Sequence, residues 1–190
     1  MEDLPWLAFD RNDCGPSQSL SMKLNIRVYR SLIERIRSDL SRSHPHALER
    51  VGFIFGRIGN SGQDEVLALL SDYASLDDST YIRNSTVGAC IGREAICNVM
   101  ERVLKTGECA FHVHIHDHKG KPTLSYTDKS SLLPLTASFR NVCGSAIHGV
   151  LLLSQNDCTA VGWIPAMTRP VYANTISIVG YPYDLHGARR

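Results

Sequence analysis

From Cys109 to His116 the chain reads CAFHVHIH, with an imidazole at every second position from residue 112 onward. A period of two belongs to extended backbone, in which side chains at i and i+2 share a face with alpha carbons about 6.6 Å apart. The segment is therefore expected to be a strand with His112, His114 and His116 on one side. A helix of the same residues would scatter the three rings around its circumference. Three imidazoles on one face need either buried hydrogen-bond partners or a shared ligand, and this restricts what the surrounding chain can build.

The rest of the 190 residues supplies a scaffold of both helices and strands. Leu20, Met22, Leu24, Ile26 and Val28 alternate as a half-buried strand, and Tyr29, Leu32, Ile33, Ile36 and Leu40 then fall at helical spacing. Val51–Phe55 and Val66–Leu70 are apolar runs flanking the turn-rich GRIGNSGQD and read as a hairpin. A second helix is expected over Arg93–Lys105, with Gly107 ending it, and a third over about Asp128–Arg140, where Pro134 calls for a kink or break. Ile147–Leu153, Cys158–Ile164 and Val171–Val179 close the list of strands. The expected class is α/β or α+β without a repeat. Residues 1–19 form an irregular arm, 20–181 one domain and 182–190 a short tail ending in GARR.

Composition narrows the function by exclusion. With 20 basic and 19 acidic residues, there is no large field to attract nucleic acid or an anionic membrane surface. The N-terminal MEDLPWLAFDRND lacks the basic-then-apolar order of a secretory signal, and no apolar run approaches the ~20 residues of a membrane span. A cytoplasmic protein with reduced thiols is expected, since the six cysteines are dispersed and form no C-x-x-C pair.

The chemistry centres on the histidine strand. Two co-facial imidazoles, joined by the carboxylate of Asp128 from the start of the next helix, make a two-histidine, one-carboxylate set with room for water, an arrangement found in catalytic zinc sites. Ser125 lies one turn before Asp128, where its hydroxyl can reach a developing oxyanion; the same SYTD spacing also suits a helix-capping box. His114 and His116 form one ligand pair and His112 with His114 a shifted one, while His118 reads as a solvated loop residue. Trp163 reads as core.

H-x-H followed by S-x-x-D, here His114-Ile-His116 and Ser125-Tyr-Thr-Asp128, resembles the signature of the JAMM (JAB/MPN) zinc metalloproteases. Upstream, Glu49, Gly52 and Gly56 resemble that family's glutamate-bearing strand, and the order of elements over roughly residues 20–180 is similar. Asp117 stands where the family commonly has proline, and eight residues separate His116 from Ser125. The resemblance implies a deaminase-like mixed sheet flanked by helices, with one Zn2+ per chain held by His114, His116 and Asp128. It also implies that Glu49 is the proton carrier and that Ser125 stabilises the tetrahedral intermediate. The implied activity is that of a deubiquitinase-like isopeptidase, with a ubiquitin-like protein or its conjugates as partner. Three other readings stand beside it: a non-catalytic MPN-type scaffold, a peptidase trimming sulfur-carrier or other small-protein tails, and a cysteine hydrolase using Cys143 or Cys90.

Overall fold

A computed structural model describes residues 22–45, 47–60, 62–84 and 88–187. The arm expected over residues 1–19 lies outside them, as do residues 188–190 of the tail. Among these described residues eight strands and three helices run in the order β1 (Lys23–Tyr29), α1 (Arg30–Leu40), β2 (Val51–Asn60), β3 (Glu65–Ser75), α2 (Arg93–Thr106), β4 (Cys109–Ile115), α3 (Tyr126–Val142), β5 (His148–Leu153), β6 (Cys158–Trp163), β7 (Val171–Val179) and β8 (Asp184–Gly187). A single turn of 3-10 helix, Asp78–Thr80, interrupts the long connection from β3 to α2.

Side by side, the strands run β1-β3-β2-β4-β5-β6-β7-β8, and β1 also pairs with β7. Leu24–Tyr29 lies parallel to Ala173–Val179, so seven strands close into a mixed barrel and β8 continues along β7 outside the closure. This corrects the expected deaminase-like sheet flanked by helices. The contact responsible joins segments about 150 residues apart, and a reading based on local periodicity contains no term for it. Asp184–Gly187, expected as part of a tail, is a strand antiparallel to β7.

Burial explains the closure. One cluster draws residues from all seven barrel strands, including Leu24, Ile26, Ile54, Leu70, Phe111, Leu151, Ala160 and Ile176, and takes in Leu32, Ile33, Ile36 and Leu40 of α1. The helical face read from the sequence is thus the face the sheet wraps. Tyr29, which shares the spacing, stands at the N-cap position without a side-chain capping bond and is 60% exposed. The opposite face of the sheet is covered by α2 and α3, where Phe53, Phe55 and Ala110 meet Val99, Val103 and Phe139. β4 therefore has a β-strand on each edge and packed side chains on each face: Phe111 and Val113 enter the α1 side, Ala110 the other.

The local signals place the elements well and their ends less so. Gly107 adopts φ 67° and ends α2, as its position implies. The hairpin strands run on through much of the segment expected as a turn, with a register shift between Phe55 and Gly56. There a side chain at residue 56 would lie 2.0 Å from the Leu69 carbonyl oxygen, so only glycine fits. Pro134 sits inside α3 without ending it. Among the described residues no helix is long and apolar enough to cross a membrane.

Phe111 has no exposed surface and touches the cluster that joins the seven strands. Phe111→Ala is expected to cost ~3–5 kcal/mol, read as a lower urea midpoint at an unchanged m-value.

Candidate metal centre

His114 enters the centre from the last turn of pleat in β4, opposite Val51 of β2 and Leu152 of β5, which leaves its ring 2% exposed. His116 follows the strand's end and is held in line by its N–H, which donates to the Leu153 carbonyl at 2.8 Å. Asp128 arrives from the first turn of α3. Ser125 caps that helix: its Oγ accepts from the Asp128 N–H (3.1 Å), and its own N–H donates to Asp128 Oδ2 (2.8 Å). The capping-box and ligand readings of SYTD are thus one geometry, because the cap aims the carboxylate at the histidines.

The three side chains converge. His114 Nε2 lies 3.0 Å from His116 Nε2, while Asp128 reaches His114 Nε2 with Oδ1 at 3.3 Å and His116 Nε2 with Oδ2 at 3.4 Å. One donor atom from each of the three falls within 4.8 Å of the others. Two imidazole nitrogens facing each other beside a carboxylate can share one proton but leave a lone pair over. Two neutral rings and one carboxylate carry a single negative charge. Such a set fits a divalent cation of the zinc type, with histidine nitrogen and carboxylate oxygen as donors.

Electrostatics keep His116 and Asp128 in ligand form. Burial lowers the His116 pKa, and the neighbouring His114 adds to the effect. Burial alone would raise the Asp128 carboxyl, but hydrogen bonds from His114 and Ser125 outweigh it and hold the group well below the usual carboxylate range. His112, on the same face one pleat earlier, is also buried, and burial pushes its pKa down to about 3. Its ring packs edge-on against Phe53 and His114, and its donor atoms fall outside the converging group. The Nδ1 atoms of His112 and His114 are buried without a hydrogen-bond partner among the described residues.

A cavity of about 230 Å³ opens beside these residues, lined among others by Glu49, Gly88, Cys90, His112, His114 and Asp128. Glu49, immediately before the buried Arg50 and β2, thus shares a wall with two of the converging side chains. Burial pushes its carboxyl above the ordinary glutamate range, Asp128 adds to this, and His114 opposes it. Ser125 and His116 are not part of the lining. His118 is exposed and hydrogen-bonds the adjacent Lys119 carbonyl.

Three residues that position Glu49 carried no signal in the sequence. The Gly88 carbonyl accepts from the N–H groups of Leu48 (2.8 Å) and Glu49 (3.1 Å), and a side chain on Gly88 would come within 2.0 Å of Glu49 Oε1. The Tyr81 hydroxyl accepts from the Val51 N–H and donates to its carbonyl, both at 3.0 Å. Arg50 donates to the carbonyls of Arg42 and Ser43 and pairs with Asp78 at 2.7 Å. All three contacts reach across loops without periodicity, where sequence patterning is silent.

Neither the protein-family models nor the curated proteins yield a match to this chain. Among solved structures, the N-terminal domain of STIL from Trichoplax adhaerens is similar over 73% of this chain and 40% of that chain, at 9% identity and a TM-score of 0.36. A likeness of that size supports no inference about fold or function.

Because His112 stays neutral in the fold down to about pH 3 but takes up a proton near 6.5 when unfolded, its burial makes folding progressively less favourable as pH falls through that interval. The slope is at most about 1.4 kcal/mol per pH unit. In metal-free protein, urea titrations at stepped pH should show wild type losing stability more steeply below pH 6.5 than His112→Gln; parallel curves would refute the assignment.

Proposed function

We propose that this chain is a zinc-dependent hydrolase of peptide or isopeptide bonds, acting on the tail of a ubiquitin-like protein or its conjugates. The observation that carries the reading is the convergence of His114, His116 and Asp128 beside a cavity on which Glu49 opens. The motif resemblance to JAMM enzymes supports the reaction class and supplies the substrate class. The reading takes nothing from the barrel.

His114, His116 and Asp128 would hold the zinc, which supplies Lewis acidity to the scissile carbonyl and to the attacking water. Glu49 accepts the proton of that water at its carboxylate and hands it to the departing amine. Its raised pKa suits both halves of the task, since a base far below the working pH takes a proton poorly. Gly88 keeps Glu49 in place by accepting its N–H and leaving room for its carboxylate. Ser125 accepts from the Asp128 N–H through Oγ, and its hydroxyl would turn from the Asp128 carboxylate to donate to substrate oxygen where negative charge develops. The retained ligand set argues against a scaffold that only recruits partners. A thiol enzyme finds no support either, because neither Cys90 nor Cys143 has an imidazole hydrogen-bonded to its sulfur among the described residues.

Elemental analysis of purified, folded protein and cleavage of ubiquitin-like conjugates test the reading together. His114→Ala and Asp128→Ala should each lose one equivalent of zinc relative to wild type, whereas His112→Ala and Glu49→Gln lose none. Glu49→Gln should lower turnover by ~100-fold or more with zinc retained. Gly88→Ala, which crowds the same carboxylate, should lower turnover without loss of metal. Folded wild type that takes up no zinc after metal is added back would overturn the proposal.

A further inference from the structure

A second group of potential ligands lies two strands from the first, since Cys158 pairs with Leu153 and Leu153 with Ile115 at the end of β4. Asp157 and Cys158 stand at the beginning of β6, and His186 stands in β8. One donor atom from each falls within 4.8 Å of the other two, and Asp157 Oδ1 lies 2.7 Å from His186 Nδ1. The backbone brings them together at a particular place. β7 gives one edge to β1, while its other edge pairs first with β6, through Tyr172 and Val171, and then with β8, through Thr175–Ile178. The cluster therefore sits at the seam where the ladder passes from β6 to β8, and where β8 begins to extend beyond the closed barrel.

We propose that Asp157, Cys158 and His186 form a second divalent-metal site, of the zinc class, that clips β8 to the start of β6. The donor set is the first argument. Sulfur, imidazole nitrogen and carboxylate oxygen together select a borderline-soft ion over calcium or magnesium, which take oxygen donors. Charge is the second: a thiolate and a carboxylate balance a +2 ion, and the imidazole adds a neutral donor. Geometry is the third. Bonds of about 2.0–2.3 Å to a tetrahedral ion set donor atoms about 3.5 Å apart; side-chain rotation would open the Asp157–His186 pair from 2.7 Å to that spacing, and all three donor atoms already lie within 4.8 Å of one another.

The surroundings suit this role. Cys158 is 2% exposed and belongs to the main core cluster, and Asp157 is already oriented by the Cys158 N–H, which donates to Oδ1 at 2.7 Å. Burial and the nearby Asp157 push the Cys158 thiol up to about 12, while Arg37 and Lys121 pull the other way. Cys158 is therefore a thiol without metal. On binding, its S–H bond breaks, the proton leaves to solvent and a sulfur–metal bond forms, with no oxidant or reductant needed. The Arg37 guanidinium, which donates to the Ser154 carbonyl at the same turn, offsets the charge of the thiolate as it forms.

Cobalt distinguishes this site from the first, because His114, His116 and Asp128 contribute no sulfur. Co2+ titrated into the reduced, metal-free full chain should produce a thiolate-to-cobalt charge-transfer band in the near ultraviolet that saturates by about two equivalents, and by about one in His114→Ala, where the first site is removed. The band should vanish in Cys158→Ser, weaken at least 10-fold in cobalt affinity in His186→Ala, and persist in His114→Ala and Cys90→Ser. Should Cys158→Ser fail to fold, His186→Ala and Asp157→Asn, which alter partly exposed side chains, decide the matter. A folded wild type without the band at several-fold excess of cobalt overturns the site, and so does a band indifferent to His186→Ala and Asp157→Asn.

Discussion

When β1 pairs with β3 along one edge and with β7 along the other, the first and last parts of the domain are bound into a single ring of backbone hydrogen bonds. Everything else in the architecture depends on that pairing. A ring has an inside, and α1, which leaves β1 directly, fills it with Leu32, Ile33, Ile36 and Leu40. An open sheet would need a second layer to cover that face; here the sheet covers itself. The outer face is then free for α2 and α3, and α3 crosses it with its N-terminus beside the end of β4.

That arrangement gives β4 an unusual task. It lies between β2 and β5 with both faces packed, the position where a sheet favours a continuous apolar run, yet it carries His112 and His114. The cost of placing the His112 imidazole there is reduced by keeping it uncharged, and burial does the same for His116 at the strand's end, in the state in which a histidine offers a lone pair to a metal. Burial and ligand competence are thus the same physical condition. Glu49 works under the opposite influence: the same burial lifts its carboxyl towards neutrality and makes it readier to hold a proton.

Much of this was legible in the sequence because it is local. Period-two histidines identified β4, helical spacing identified the buried face of α1, and the S-x-x-D interval brought Ser125 and Asp128 onto one helix start. The convergence of His114, His116 and Asp128 follows from a strand, a loop and a cap adjacent in the chain. Closure did not show, because Leu24–Tyr29 and Ala173–Val179 look like any other amphipathic strands and nothing in their residues names their neighbour. Gly88, Tyr81 and Arg50 did not show either. Each acts through a backbone carbonyl, a hydroxyl or a guanidinium that reaches across irregular loops to steady the Glu49 segment.

The Asp128 carboxylate takes part in two structures at once, accepting the Ser125 N–H that starts α3 and facing the rings of His114 and His116. Fraying of the first turn of α3 and loosening of the ligand group are consequently one motion. Amide hydrogen exchange at Ser125 and Asp128 then becomes a clock for the centre itself: the opening that exposes those N–H groups to solvent is the opening that withdraws the carboxylate.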